Sequence, residues 1–233
     1  MIPDLLKAFQ GLDQPARRQK LQDEGYIRLP DSSGLCSVYH QPDKKTVLRF
    51  SMRPEMAELT SRYFMQNPDN PYLPRVYAHG PLSGGKYICV MEKLTSLQEL
   101  DEEEGIDLVG QARAIATFPF GDSIHRAAHR GLAQEDKFLE AMLVLANCAK
   151  ESFRNPSSRN ECLFPDRSVS GVMYRRGKNG LPTPVLVDTL TYTAPSRELE
   201  SQLEGIFTRL HRFELLERRR TLAGYRKGSC EPA

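Results

Sequence analysis

Residues 164–192, FPDRSVSGVMYRRGKNGLPTPVLVDTLTY, constrain this chain more than any other stretch. Two short apolar runs, Val172-Met173-Tyr174 and Pro184-Val185-Leu186-Val187, flank a Gly-containing segment from Arg175 to Gly180. β-prone runs on either side of such a turn predict an antiparallel hairpin. Asp166 precedes the first run and Asp188 follows the second, so the hairpin carries a carboxylate at each outer end.

The elements before it form an ordered series. Residues 2–21 read as one short amphipathic helix, with Ile2, Leu5, Leu6 and Phe9 at helical spacing. Strands are expected at 25–29, 35–40 and 46–50, separated by Pro30-Asp31-Ser32-Ser33-Gly34 and by Gln41-Pro42-Asp43-Lys44, which are turn sequences. Pro54 suits the first turn of a helix reaching about Gln66. Asn67-Pro-Asp-Asn-Pro-Tyr-Leu-Pro is too rich in proline to be helical and reads as a loop. Two more strands, at 75–78 and 86–92, surround Ser83-Gly84-Gly85. The first three strands are predicted to form an antiparallel meander, and the whole unit has five strands with one helix inserted after the third.

From Gln98 the pattern turns helical. Asp101–Glu104 is an acidic run that reads as a solvated helix start or loop. Helices are expected at 108–118, 124–133 and 138–153, and the last has the clearest apolar face. A C-terminal helix over 196–225 sets Leu199, Leu203, Ile206, Phe207, Leu210, Phe213 and Leu216 on one side. Arg212, Arg218, Arg219 and Arg220 occupy its other side, which reads as a solvated basic face.

The chain has 233 residues, 39% of them hydrophobic, with a net charge of +2 and a pI near 8.2. That balance gives no electrostatic case for a nucleic-acid or membrane partner. No run approaches the roughly eighteen apolar residues of a membrane span. The five cysteines are scattered and form no CxxC pair, which speaks against zinc or a disulfide framework and fits reduced thiols in the cytoplasm. The N-terminus lacks the basic and apolar regions of a signal peptide.

Three stretches carry a resemblance. They are Gly-Leu-Cys-Ser-Val-Tyr-His at 34–40, Asn-Pro-Tyr-Leu-Pro-Arg-Val-Tyr at 70–77, and Asp166…Val-Met-Tyr…Pro-Val-Leu-Val-Asp188. In this order they resemble the compact protein kinases, above all the early serine/threonine kinases of short-tailed bacteriophages, over about residues 25–192. The resemblance implies an α+β, bilobal, protein kinase-like fold. An N-terminal helix would span 1–24, a small antiparallel-sheet lobe with one helix 25–94, and a mainly helical lobe 95–233, ending in the basic amphipathic helix.

The resemblance also implies ATP and Mg²⁺ as cofactors and assigns roles to residues. Asp166 stands at the catalytic position that orients a substrate hydroxyl and accepts its proton, and Asp188 at the metal-binding position. Ser32, Ser33 and Gly34 stand where a loop closes over the nucleotide phosphates. Arg49 replaces the phosphate-binding lysine of the third strand, and Glu58 is its expected partner, with Glu55 as the alternative. Two departures matter. Arginine is longer and planar, and Gly171 replaces the asparagine that holds a second Mg²⁺. The implied activity is a slow, atypical serine/threonine phosphotransfer to proteins of a host bacterium. The open alternative is an inactive pseudokinase that binds and modulates a protein partner.

Overall fold

The computed structural model describes residues 2–29, 35–100, 108–117, 135–166, 168–176, 182–187 and 189–228, with 213–228, Ile2, Pro3, Thr117 and Glu135 described by backbone alone. The fold is α+β, with a small antiparallel sheet carrying one inserted helix and a mainly helical part, the element layout expected from the sequence. One lobe is built on β1 (Ile27–Arg28), β2 (Cys36–His40), β3 (Thr46–Ser51), β4 (Val76–Leu82) and β5 (Lys86–Glu92). These strands form one antiparallel sheet in the order β1-β2-β3-β5-β4. Helix α3 (Pro54–Met65) is inserted between β3 and β4. The other lobe is mainly helical, with α4 (Leu97–Leu100), α5 (Leu108–Thr117), α6 (Glu135–Arg154) and α7 (Arg197–Gly228). It also holds two strand pairs, β6 (Cys162–Pro165) with β9 (Leu190–Thr193), and β7 (Val172–Arg176) with β8 (Pro182–Leu186).

The expected N-terminal helix is instead two helices, α1 (Ile2–Gln10) and α2 (Gln14–Asp23). Asp13 breaks the run because its carboxylate accepts from Ala16 N at 2.9 Å and Pro15 opens the new helix. The pair β6 and β9 was not foreseen in the sequence. The expected helix over 124–133, the acidic run 101–104 and the turn 177–180 lie outside the described residues.

Strand periodicity sorts the sheet's two faces. Leu48 of β3 and Ile88 and Val90 of β5 point outward and pack with Phe9 and Leu21 of the N-terminal helices. Val47, Cys89 and Met91 point the other way, against Val38, Val76 and Val187. With both faces covered, every residue of β5 after Lys86 is buried, which explains its unbroken apolar run. Helix α1 lies close over β4. A Cβ at Gly80 would sit 3.1 Å from Gln10 Nε2 and 3.4 Å from Leu6 Cδ2.

The two lobes are joined by a buried ion pair. Arg175 on β7 reaches Glu92 at the end of β5 in bidentate fashion, with Nε donating to Oε2 at 2.9 Å and Nη2 to Oε1. Arg175 also donates to the carbonyls of Pro71 at 2.5 Å and Leu73 at 3.0 Å. Leu186 N donates to Tyr72 O at 2.8 Å. The proline-rich loop therefore runs between sheet and hairpin with three carbonyls satisfied. Nearby, Thr95 and Tyr174 exchange backbone hydrogen bonds of 2.9 and 2.8 Å, and the fully buried Tyr174 hydroxyl donates to Leu108 O at 3.0 Å.

At the seam between sheet and α3, the His79 ring stacks on Tyr87 with centroids 5.7 Å apart, and His79 Nδ1 meets the Tyr87 hydroxyl. Burial lowers the His79 pKa, and the charge of Glu58 opposes that shift.

Two measurements test this packing. Arg175→Ala leaves Glu92 buried and unpaired, so it is expected to cost about 3–5 kcal/mol of unfolding free energy in urea. Arg62→Ala, which removes the exposed Arg62–Glu151 pair, is expected to cost about 0–1 kcal/mol. For His79, a lowered folded pKa favours the neutral ring. Its stabilising contribution is fully present above the ordinary imidazole range of about 6.5 and drains as pH falls through the folded value. Stability measured against pH should therefore fall more gently for His79→Gln than for wild type below about pH 6.5.

Candidate functional site

The strands β6 and β9 set the geometry of the site. Their register pairs Pro165 with Leu190 and Phe164 with Thr191, so the chain leaves β6 at Asp166 directly opposite residue 189. Asp166 N donates to Thr189 O at 2.7 Å. On the other side of residue 188, Val187 N donates to Gly171 O at 3.0 Å. The loop 166–171 and the segment 187–189 are thus stitched together at both ends. This stitching follows from short apolar strands whose ladder bonds continue one residue past β6 and one past β8.

Asp166 itself is half-buried, and its Oδ1 accepts from Ser168 N at 3.1 Å. Ser168 turns the loop, since its Oγ accepts from Ser170 N at 3.3 Å and lies 2.6 Å from Ser170 Oγ. Gly171 is buried and closes the turn by donating to Ser168 O at 3.3 Å. The Ser170 hydroxyl, next to position 171 in the chain, is therefore engaged inside the loop.

Arg49 lies on the inner face of β3, opposite Val38 and Cys89. Its Nε donates to Cys36 Sγ at 2.9 Å. It lines a cavity of about 40 Å³ between sheet, α3 and β9, shared with Ser51, Ser61, Tyr87, Val187 and Thr189. Arg49 and the two residues flanking position 188 thus border one space. Cys89 lines it too, and burial pushes its thiol up to about 11, so it stays protonated and is no nucleophile.

Glu58 is exposed on α3, and its charge acts on His79 and Tyr87 rather than joining an ion pair with Arg49 among the described residues. Glu55, the alternative partner, accepts from Ser158 Oγ at 2.7 Å, and that hydrogen bond is the largest cause of its lowered pKa. The structure sets Asp166 against Thr189 through its backbone, and Val187 and Thr189 beside Arg49, but Asp166 lines a separate space with Ile115, Met142, Leu186 and Ile206 rather than the cavity of Arg49. It sets Glu55 on Ser158 and leaves Glu58 exposed, with its charge acting on His79 and Tyr87. Ser32, Ser33, Gly34 and Asp188 lie outside the described residues. No cluster of three or more His, Cys, Asp or Glu side chains suited to a metal occurs among the described residues.

The inner-face residues Val38, Val47, Cys89 and Met91, with Val187 from the other lobe, make an apolar layer beside this cavity. Sequence reasoning missed this layer as a feature of the site. Its signal was the alternation Val47, Arg49, Ser51 along β3, which places an arginine in line with apolar neighbours on one face.

No helix of the described residues is long and apolar enough to cross a membrane. No family model and no curated protein matches the chain. Among solved structures it is similar to the kinase PK-1 of the Cydia pomonella granulovirus, at 13% identity and a TM-score of 0.34. The match covers 78% of this chain and 59% of the viral kinase chain.

Proposed function

We propose that the chain is an atypical, slow phosphotransferase that uses ATP and Mg²⁺ to modify serine or threonine hydroxyls of proteins. The observation that carries this reading is the pair of backbone bonds, Asp166 N to Thr189 O and Val187 N to Gly171 O, which draws the two aspartate-bearing segments together. The border that Arg49 shares with Val187 and Thr189 puts a cation beside the second of these segments.

The residues fit the cofactors in part. The apolar layer of Val38, Val47 and Met91 suits the flat face of a nucleotide base, and Arg49 suits a phosphate oxygen. Asp188 would be the principal protein ligand of one Mg²⁺, which supplies charge neutralisation on the phosphate oxygens when bound. Gly171 has no side chain for a second ion, and Ser170 is held by Ser168. In this reading Asp166 orients the protein hydroxyl and takes its proton. Arg49 holds the nucleotide phosphates as a fork rather than as the usual point charge. Losing several kcal/mol of transition-state stabilisation at the two altered positions slows transfer, because about 1.4 kcal/mol is tenfold in rate. Following the resemblance to phage kinases, the targets are proteins of a host bacterium and the site of action is its cytoplasm.

A second reading rests on Glu58, which is exposed on α3 and forms no ion pair with Arg49 among the described residues. A helix without that ion pair suits a pseudokinase that presents its surface to a protein partner.

Phosphate transfer from labelled Mg²⁺-ATP, to the protein itself and to bacterial lysate, separates the two. Label is expected with wild type and at background with Asp188→Ala. Asp166→Asn is expected to lower the rate about 100-fold or more. Absence of label above the Asp188→Ala background overturns the enzyme reading. In that case a rise in melting temperature with Mg²⁺-ATP still reports nucleotide binding, with about 2.7 kcal/mol expected at a hundred times Kd.

A further inference from the structure

The segment between α6 and β6 is a built turn. The buried Ser157 accepts at Oγ from Arg159 N at 3.3 Å and from Glu161 N at 3.1 Å, and Ser157 N donates to Glu161 O at 2.8 Å. Asn160 adopts a φ of 56°, in the left-handed region, and its N donates to Ser157 O at 2.8 Å. Asparagine tolerates this conformation better than most side chains. The turn fixes Glu161 immediately before β6, the strand that delivers Asp166.

Glu161 faces Arg53, the residue just before α3. Arg53 Nη2 donates to Glu161 Oε1 at 2.9 Å. Arg53 Nε stands 2.5 Å from Oε2 as an ion pair without hydrogen-bond alignment. Both side chains are largely shielded, at 14% and 22% exposure, so the pair is less screened than a surface one. The same guanidinium lies 6.0 Å from the ring of Tyr192, which stands opposite Leu163 in the β6–β9 register. Beside it, Glu55 of α3 accepts from Ser158 Oγ. Arg53 thus meets the residue that leads into β6 and the ring of a β9 residue, the two strands that frame the candidate site. It does so at the point where α3 begins, and α3 has no ion pair to Arg49 through Glu58 or Glu55 among the described residues.

We propose that Arg53 is a positioning residue for this site. Through Glu161 and Tyr192 it sets the β6–β9 pair against α3, and so fixes the spacing of the loop 166–171 and the segment 187–189. The role in catalysis rests on the phosphotransfer reading above, whereas the role in spacing does not.

The test compares Arg53→Glu, Glu161→Arg and their charge-swapped double variant, with Glu161→Gln as the shape-preserving variant should a charge reversal fail to fold. Amide exchange at Asp166 and Val187 reports the two stitching hydrogen bonds without any need for activity. In the single variants, exchange at both amides is expected to accelerate about tenfold, and the swap should recover most of that loss. Arg62→Gln, which removes the Arg62–Glu151 ion pair of α3 but leaves Glu161 alone, should leave both amides within about twofold of wild type. Where wild type transfers phosphate, the single variants should lose kcat about tenfold with KM for ATP within about twofold. Unchanged exchange in Glu161→Gln, or a swap no better than the single variants, overturns the proposal. A wild type without phosphotransfer sinks only the phosphotransfer reading, and the exchange result still decides the positioning role.

Discussion

The buried bidentate contact between Arg175 and Glu92 is the constraint on which the rest of the molecule depends. A carboxylate this deeply shielded is costly unless its lone pairs are met, and here they are met by one guanidinium and by Arg75 N at 2.8 Å. The same guanidinium takes up carbonyls of Pro71 and Leu73, which allows residues 70–74 of the proline-rich connection to lie largely buried. Sheet, loop and hairpin are thereby locked at one point. The site lies on the far side of that hairpin, so its geometry inherits this lock.

Around the lock, the site is organised by backbone more than by side chains. Two ladder bonds that overrun their strands hold the loop of Asp166 against residues 187 and 189. Side chains then trim the arrangement: Ser168 turns the loop, and Arg49 borders the same cavity as the stitched segment. Helix α3 is held from its N-terminal end, by Arg53 and Glu55 on the turn 157–161, and farther along by Arg62 and Tyr63 on Glu151. All of these contacts reach the helical lobe.

Much of the fold was legible in the chain because its signals were local. Residues 86–92 read as a strand from composition alone, and Pro54 marked the start of α3. The hairpin over 172–186 followed from two apolar runs and a turn. The strands β6 and β9 escaped because each has four residues and one ends in a proline, too little for a periodic signal. The break between α1 and α2 escaped because the apolar spacing dominated over an aspartate cap. In the site, Arg49 was correctly placed on the third strand, but its partner was not readable. Glu55 and Glu58 are three residues apart on one helix, and only tertiary packing gives Glu55 to Ser158 and leaves Glu58 exposed. Arg53 and Glu161 are 108 residues apart, and nothing local marks them as a pair.

The close seat of α1 over the sheet has a consequence for the order in which the molecule can assemble. Phe9, Leu5 and Leu6 belong to the first helix of the chain, yet the surface they cover is made by Leu82, Ile88 and Val90. That surface does not exist until β4 and β5 have paired with β3. A helix that precedes these strands in the chain must therefore wait for them, exposing an apolar face meanwhile. Contacts of such long sequence separation slow folding, so completion of this lobe is set by closing a long loop rather than by forming its helices.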